Sequence, residues 1–160
     1  MSDSSAGRTR KTAARDRSAA RPGSARIRDC PCFSGLLYGL CCGPLHRDER
    51  PADTPVELMR SRYAAFALGL GEYLVRTLSA DHADRALDAT RLARELSSAR
   101  ERQRFLGLRV DEGCTDGDRG EVLFFARIFE KGQDRSFTER ASFQRENGVW
   151  RYAGGVAEPV

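Results

Sequence analysis

The amino-acid sequence predicts an α+β protein in which a small cysteine-rich module precedes helices packed on one face of a curved antiparallel sheet. Two observations predict this order. Four of the five cysteines fall within residues 27–50, a segment too short to have a substantial core of its own. After that segment the spacing of apolar residues is helical, and near Phe105 it changes to strict alternation, as it does where helices give way to strands.

Residues 1–26 come first and are predicted to form a disordered basic tail. They contain no aromatic residue and no leucine, isoleucine or valine, so burial could not offset the entropy lost on ordering them. Residues 1–28 carry eight basic and two acidic residues, whereas the rest of the chain carries 19 and 21. The basicity therefore belongs to the tail, and electrostatic binding of nucleic acid is a hypothesis for the tail alone.

The sequence predicts a cytoplasmic protein without membrane insertion. No apolar run approaches the roughly 20 residues that cross a bilayer, and the N-terminus lacks the apolar segment of a secretory signal. A segment rich in Arg, Ala and Ser also occurs in organellar transit peptides, but an ordinary disordered tail has the same composition.

The cysteines of the small module have the spacing of a metal site. The pattern is C-x-C-x8-C-C, formed by Cys30, Cys32, Cys41 and Cys42. Four thiolates suit a tetrahedral ion such as Zn²⁺, and a complete thiolate set leaves no position for a catalytic water. Disulfides are the alternative, but a bond between adjacent cysteines is strained and cross pairs need an oxidising compartment. We therefore predict a structural zinc site, while iron accepts the same ligands.

His46 is a further candidate ligand, because it follows Cys42 by four residues. A histidine in this position more often supports a metal site from outside or lies on the surface. The four thiolates already complete a tetrahedral set, so the sequence favours either of these roles over ligation.

The segment CPCFSGLLYGLCCG, residues 30–43, resembles the SEC-C motif, a zinc-binding module also found at the C-terminus of the SecA translocation ATPase. Further segments resemble the bacterial YchJ family, and these are Gly43–His46, Glu57–Phe66 and the spaced set Glu139, Phe143, Arg145, Glu146, Gly148 and Trp150. The resemblance covers about residues 29–155. Two positions depart from it, since Phe33 replaces the usual Gly after the C-x-C pair and Phe105 replaces the usual Trp.

The resemblance implies a SEC-C-like module over residues 27–50 and a nuclear-transport-factor-2-like domain over residues 51–156. The expected fold is thus a small N-terminal zinc knuckle followed by a cone-shaped domain of helices packed on a curved antiparallel sheet. By analogy with the SecA tail, the resemblance also implies protein partners such as a secretion chaperone or the ribosome.

The first helix of the cone has a clear start signal. Thr54 is a good N-cap, Pro55 suits the first helical position, and Glu57 completes a capping box. One apolar stripe follows at helical spacing, made of Val56, Met59, Tyr63, Phe66 and Leu70. Gly69 and Gly71 are expected to end the helix. A short second helix is predicted through Tyr73, Leu74 and Leu78, and a third from about Ala89 to Gln103 with Leu92, Leu96 and Ala99 facing inward.

Four strands are predicted after the helices. The first begins near Phe105, and the second, residues 122–129, is apolar on both faces as a central strand should be. The third covers residues 136–146 and the last residues 149–153. Asn147-Gly148 between the last two is a strong hairpin signal, and Lys131-Gly132 and residues 116–120 are predicted to form the other turns.

Glu139 suggests a pocket inside the cone. By alternation it shares a strand face with Phe137, Ala141 and Phe143, where a carboxylate must be paired or protonated. Three residues of the first helix are candidates to meet it, namely Arg60, Arg62 and Tyr63. One interpretation is a structural ion pair that joins the helix to the sheet. The more specific interpretation is a polar cluster that binds a small ligand.

Three functions follow from these features. The favoured one is a metal-binding adaptor whose knuckle mediates protein interaction. The alternatives are a small-molecule-binding or enzymatic cone with a pocket around Glu139, and a nucleic-acid- or ribosome-associated protein that uses the basic tail. The sequence favours a binding protein over an enzyme, because it shows no nucleotide-binding motif and no catalytic triad. Cys114 has no basic neighbour that would activate it as a nucleophile.

Overall fold

A computed structural model describes residues 28–159. The knuckle (residues 28–50) contains a 3₁₀ turn at Tyr38–Leu40 and the single-turn helix α1. The helices are α1 (Gly43–His46), α2 (Pro55–Leu68), α3 (Gly71–Arg76), α4 (Ala89–Ser97) and α5 (Ala99–Arg102), with a second 3₁₀ turn at Ala83–Ala86. The strands are β1 (Gln103–Asp116), β2 (Arg119–Glu130), β3 (Gln133–Asp134), β4 (Phe137–Glu146) and β5 (Val149–Glu158).

The strands form one antiparallel sheet of order β1-β2-β4-β5, and the short β3 pairs with β2. The hairpin between β4 and β5 turns at Asn147 and Gly148, both of which have positive φ, as a type I′ turn requires. Lys131 and Gly132 adopt the same conformation between β2 and β3. The fold class and these turns are therefore as the sequence predicts.

Helix α2 begins where the sequence predicts, because Thr54 Oγ1 accepts a hydrogen bond from the Glu57 N–H at 3.1 Å. The second half of the expected capping box differs. The Glu57 carboxylate accepts from the Asp53 N–H at 3.4 Å and pairs with Arg50 instead of bonding to Thr54. Gly69 ends the helix in the left-handed conformation, with φ 71°.

Helix α2 is buried on more sides than a single apolar stripe predicts. Met59 and Tyr63 pack toward the sheet, while Ala64 packs into the cysteine cluster of the knuckle. Val56 and Phe66 are only partly buried. The helix thus lies between the knuckle and the sheet, which is why its sequence is apolar or small around most of its circumference.

The core of the cone lies between α2 and the concave face of the sheet. Its sheet side consists of alternate residues of the strands, namely Val122, Phe124, Ala126, Ile128, Ala141, Phe143 and Trp150. On the other face of β2, Leu123 and Phe125 are partly exposed and Arg127 is exposed. Strand β2 is therefore apolar on both faces but buried on only one of them.

Strand β1 carries two register shifts against β2, one at Leu106 and one at Asp111. Because each bulge adds a residue, Phe105 and then Leu108 face the core while Leu106 is exposed. Bulges also bend and twist a strand, so they contribute to the curvature of the sheet.

Several element boundaries differ from the sequence prediction. Helix α3 ends at Arg76, so Leu78 lies beyond it, and β2 begins at Arg119. The expected helix from Ala89 to Gln103 is interrupted at Ser98, whose hydroxyl donates to the Glu95 carbonyl at 2.7 Å, and Gln103 begins β1. The last strand continues from Ala153 to Glu158 through a bulge next to Gly154. The predicted disordered tail, residues 1–26, lies outside the described residues. Within residues 28–159, no helix is both long enough and apolar enough to span a bilayer.

Candidate metal centre and interior pocket

The four clustered cysteines come together at one point of the knuckle. The sulfur atoms of Cys30, Cys32, Cys41 and Cys42 all lie within 4.8 Å of one another, and none forms a disulfide. The Cys32–Cys41 and Cys41–Cys42 sulfur distances are 3.6 and 3.9 Å. A tetrahedral ion bound to four thiolates at about 2.3 Å places its ligands about 3.8 Å apart. The four side chains therefore fit a single metal ion.

The electrostatics of the cluster also favour a cation. Hydrogen bonding from the Cys30 thiol, and then from Cys42, lowers the pKa of Cys32. The contact with Cys32 raises the pKa of Cys30 to about 11, and the contacts with Cys30 and Cys32, together with burial, raise that of Cys42. Four clustered thiolates, three of them buried, require a positive ion to neutralise them.

The backbone around the ligands is a tight hairpin. An isolated bridge pairs Asp29 with Leu37, and the Cys30 N–H donates to the Leu36 carbonyl at 2.8 Å. At its tip Phe33 has φ 59°, a conformation that costs a residue with a Cβ about 1–2 kcal/mol. Glycine is usual at this position because it adopts positive φ without this cost. Phe33 adopts the same backbone conformation in its place.

His46 lies beside the cluster and supports it from outside. Its Nε2 is 2.8 Å from the Ser61 carbonyl, so it must donate there, and its Nδ1 then accepts from the Tyr38 hydroxyl at 2.7 Å. Both ring nitrogens are therefore engaged away from the cysteines. Burial lowers the pKa of His46, which favours the neutral ring that this pair of hydrogen bonds requires.

Arg60 joins the knuckle instead of the pocket. Its Nη1 donates to the Cys32 carbonyl at 3.0 Å, so it reaches away from the sheet. The hypothesis that Arg60 pairs with Glu139 is therefore wrong, because Arg60 lies on the side of α2 that faces the cysteines. Phe33 and Tyr63 make a second contact across this junction, with ring centroids 6.2 Å apart.

A cavity of about 660 Å³ opens between α2 and the sheet. Arg62, Tyr63 and Glu139 all line it, as do the ring of Tyr152 and several apolar side chains. Glu139 Oε1 accepts a hydrogen bond from the Tyr152 hydroxyl at 3.0 Å. Burial, and next the charge of Glu139, raise the pKa of Tyr152, so the hydroxyl remains a donor at neutral pH.

Arg62 and Glu139 do not form the expected ion pair. Within residues 28–159 no carboxylate oxygen lies within 4 Å of the Arg62 guanidinium. Arg62 instead lies over the Tyr152 ring, 4.4 Å from its centroid, and donates to the end of α3. Tyr63 also has its own partner, since its hydroxyl donates to the Gly107 carbonyl at 2.9 Å beside the first bulge of β1.

Sequence reasoning missed most of the polar lining of the pocket, namely His82, Asp84, Gln103, Arg135 and Tyr152. Tyr152 connects Arg62 to Glu139, and His82 packs on the Tyr152 ring at 5.7 Å. Alternation from Trp150 would have placed Tyr152 on the inner face, whereas no sequence signal marks His82, which lies in a loop. Cys114 is exposed and apart from both sites.

Comparison with known families finds one that covers most of the cone. Residues 54–155 match the family model described as "YchJ, middle NTF2-like domain". The chain is also similar to the YchJ protein of Shigella dysenteriae, with 41% identity over 129 residues that make up 79% of this chain and 82% of that protein.

Two solved structures share the architecture. A SEC-C motif containing protein from Rhodopseudomonas palustris, determined in solution, has 38% identity and a TM-score of 0.72 over 82% of this chain and 100% of its own. A SEC-C motif containing protein from Psychrobacter arcticus has 24% identity and a TM-score of 0.67 over 84% and 85% of the two chains. The second likeness shows the fold alone.

Proposed function

The chain belongs to the YchJ family, and from that premise we propose that it is a zinc-binding adaptor of the cytoplasm whose knuckle docks a protein partner. The observation that carries the proposal is the position of the exposed apolar side chains. Four of the seven large apolar side chains exposed in residues 28–159 belong to the knuckle, and these are Phe33, Leu36, Leu37 and Leu40.

Zinc is the metal that this ligand set favours. The site offers sulfur only, and three of its four cysteines are buried, which suits a closed tetrahedral structural centre. Such a centre has no open position for substrate. The proposed role of the ion is therefore to hold the shape of the knuckle, and iron is the other ion that the ligands could take.

The exposed residues form a docking surface, which we call the knuckle face and define as Phe33, Leu36, Leu37 and Leu40. Leu40 is 76% exposed and Leu36 is 54% exposed, on a segment of eight residues that the metal ligands fix at both ends. Clustered exposed apolar side chains typically mark protein interaction sites. Isolated ones elsewhere on the chain, such as Leu87, have no such neighbours in sequence.

The partner class follows from the resemblance of the knuckle to the SecA tail. A secretion chaperone and the ribosome are accordingly the two partners to test. The basic tail precedes the knuckle directly, and its charge would accelerate association with an acidic surface. A reducing compartment keeps the four thiols available for metal, which is why the proposal places the protein in the cytoplasm.

The proposal predicts that charge on the knuckle face abolishes docking and leaves the metal in place. Leu36→Asp with Leu40→Asp should weaken binding to purified secretion chaperone or to purified ribosomes at least tenfold, measured by co-sedimentation or biolayer interferometry. The metal content, measured on the same preparation, should stay unchanged because neither residue is a ligand. Leu87→Asp is the matched control, since Leu87 is 55% exposed on the cone, and it should bind as the unmodified chain does.

Two outcomes would contradict the adaptor. One is that neither purified partner binds the unmodified chain. The other is that the Leu87→Asp control loses as much affinity as the double variant, because binding would then not depend on the knuckle face.

A further inference from the structure

Arg62 is the most deeply buried charged side chain in the cone, with 8% of its surface exposed. Its guanidinium is held by one nitrogen. Nη1 donates to the Leu74 carbonyl at 2.7 Å and to the Thr77 hydroxyl at 2.6 Å, both at the end of α3. The Tyr152 ring lies 4.4 Å from the guanidinium carbon. These contacts fix the plane of the group and its orientation in the cavity.

The opposite edge of the guanidinium has no partner. No acceptor among residues 28–159 bonds to Nε or Nη2 of Arg62. In the same residues, every side-chain nitrogen that is fully shielded from solvent has a hydrogen-bond partner. Both nitrogens must therefore keep some access to solvent, and the cavity is the space that Arg62 lines. Nε–H and Nη2–H are parallel donors, and this is the edge that binds a carboxylate with two hydrogen bonds.

The charge of Arg62 lacks a close counterion. Glu139 is engaged by the Tyr152 hydroxyl, and no described carboxylate is within 4 Å of the guanidinium. Burial lowers the pKa of Arg62 to about 10, as expected for a cation that is desolvated without a paired anion. An anion in the cavity would compensate this cost.

Most of the remaining wall of the cavity is apolar, although four polar or charged residues also line it, namely His82, Asp84, Gln103 and Arg135. Its walls include aromatic and aliphatic side chains from α2 and all the long strands, among them Phe66, Phe105, Phe124, Ile128, Phe137 and Phe143. A volume of about 660 Å³ lies within the range of small-molecule sites. We propose that the cavity binds a small monocarboxylic acid with an apolar body, whose carboxylate pairs with the free edge of Arg62 while the body packs on the phenylalanine walls.

Glu139 determines which acids fit. It lies on the same cavity as Arg62, and Tyr152 connects the two. A second carboxylate on the ligand would be repelled by Glu139 or by Asp84, which also lines the cavity, so an acid whose second carboxylate falls near either residue is disfavoured. Removing the charge of Glu139 relieves the repulsion that any anionic ligand experiences. The two residues therefore have opposite effects on the affinity for an acid.

The test uses acids and their primary amides as matched pairs. Phenylacetate, 3-phenylpropionate and indole-3-acetate are titrated into the full chain with bound metal, each beside its amide, and tryptamine supplies the reversed charge. Isothermal titration calorimetry should show at least one acid binding about tenfold or more tightly than its amide, since a charge-assisted bidentate pair is replaced by neutral hydrogen bonds. Tryptamine should bind more weakly than indole-3-acetate.

Two variants identify the residues responsible. Arg62→Lys keeps a positive donor that can reach the end of α3 but loses the paired N–H groups, and it should reduce the preference for acid over amide at least fivefold. Glu139→Gln should bind the acid about threefold more tightly, because a nearby negative charge is removed. Glu121→Gln is the control, since Glu121 is exposed on the opposite face of the sheet, and it should change nothing.

The proposal is overturned if no acid in the panel binds better than its amide. It is equally overturned if tryptamine binds more tightly than indole-3-acetate and Glu139→Gln abolishes that binding, because the cavity would then select cations. Because Glu139→Gln is expected to increase affinity, its result does not depend on whether the Arg62 variant folds. Neither result bears on the knuckle face, because none of its four residues lines the cavity.

Discussion

Phe33 adopts a backbone conformation that is unfavourable for a residue with a side chain. Its backbone is left-handed, with φ 59°, although only glycine adopts this conformation without cost. Phe33 is 49% exposed, and its ring contacts Tyr63 edge-on. The strain is kept in a segment that the metal ligands on either side hold in place, and the ring contributes to the knuckle face.

This strain is measurable by comparing two substitutions. Phe33→Gly and Phe33→Ala both remove the ring, but only glycine also removes the left-handed penalty. We predict that the glycine variant is about 1 kcal/mol more stable than the alanine variant, measured by urea denaturation with metal bound. Equal stabilities, or a more stable alanine variant, would show that the position is unstrained.

Among individual residues, the metal ligands were the easiest to predict from the sequence, because metal binding requires a characteristic spacing of cysteines. The pattern C-x-C-x8-C-C identified four side chains that the fold brings within 4.8 Å of one another. Arg60 was assigned to the pocket because its angular position on the helix is known from the sequence, but the neighbour on that side is not. The structure places the knuckle there and not the sheet. Tyr152 was missed as a connecting residue, because its role depends on the separation of Arg62 and Glu139, which spacing along the chain does not give.

At the scale of elements, helix α2 organises the molecule because it has two packing partners. Ala64 contacts the cysteine cluster, while Met59 and Tyr63 pack toward the sheet. A single apolar stripe was predicted because a helix on the surface of one domain needs only one. The small residues Ser61, Ala64 and Ala65 are fully buried, and they allow a second layer to approach the helix closely.

Gly71 has a role that its position after α2 did not predict. Sequence reasoning assigned Gly69 and Gly71 together as the end of the helix, and only Gly69 is the left-handed cap. Gly71 begins α3, where an added Cβ would lie 1.7 Å from the Ala93 carbonyl oxygen. The α3–α4 contact therefore depends on the absence of a side chain at this position.

Gly71→Ala should consequently lower the free energy of unfolding by about 2–3 kcal/mol, because α3 and α4 must move apart. Thermal or urea denaturation measures the change. Gly39→Ala is the matched control, since no atom lies within 4 Å of its added Cβ and its φ is not positive. If both variants have the same stability, the close approach of α3 and α4 is not what constrains Gly71.

The boundaries that sequence analysis missed have local physical causes. The break at Ser98 involves a hydroxyl that bonds back to Glu95, a competing local interaction. The bulges of β1 interrupt strict alternation at Leu106 and Asp111, and each is specified by pairing with β2. Helix starts and two-residue turns were predictable because their signals lie within a few neighbouring residues.

At the scale of the whole molecule, the knuckle and the cone share one interface. Arg60 bonds to the Cys32 carbonyl, His46 bonds to the Ser61 carbonyl, and Leu45 of the knuckle belongs to the same buried cluster as Trp150. A metal ion that orders the knuckle should therefore also stabilise the sheet at a distance.

Trp150 reports this coupling because it is the sole tryptophan of the chain and is buried in the cone. Removing the metal with a chelator under reducing conditions should lower the unfolding free energy measured by Trp150 fluorescence by about 4 kcal/mol or more, as tight binding to the native state alone requires. An unchanged urea midpoint would mean that the cone folds independently of the knuckle.

The central claim is that Cys30, Cys32, Cys41 and Cys42 hold one metal ion, and the metal content and ligand set of the chain test it most directly. Protein purified without added metal should contain one zinc per chain, with four sulfur neighbours at about 2.3 Å by X-ray absorption. Cys41→Ser should lose metal, whereas Cys114→Ser should retain it, since Cys114 is exposed and outside the cluster. Protein that is metal-free as purified, or that holds a disulfide within the cluster, would contradict the account.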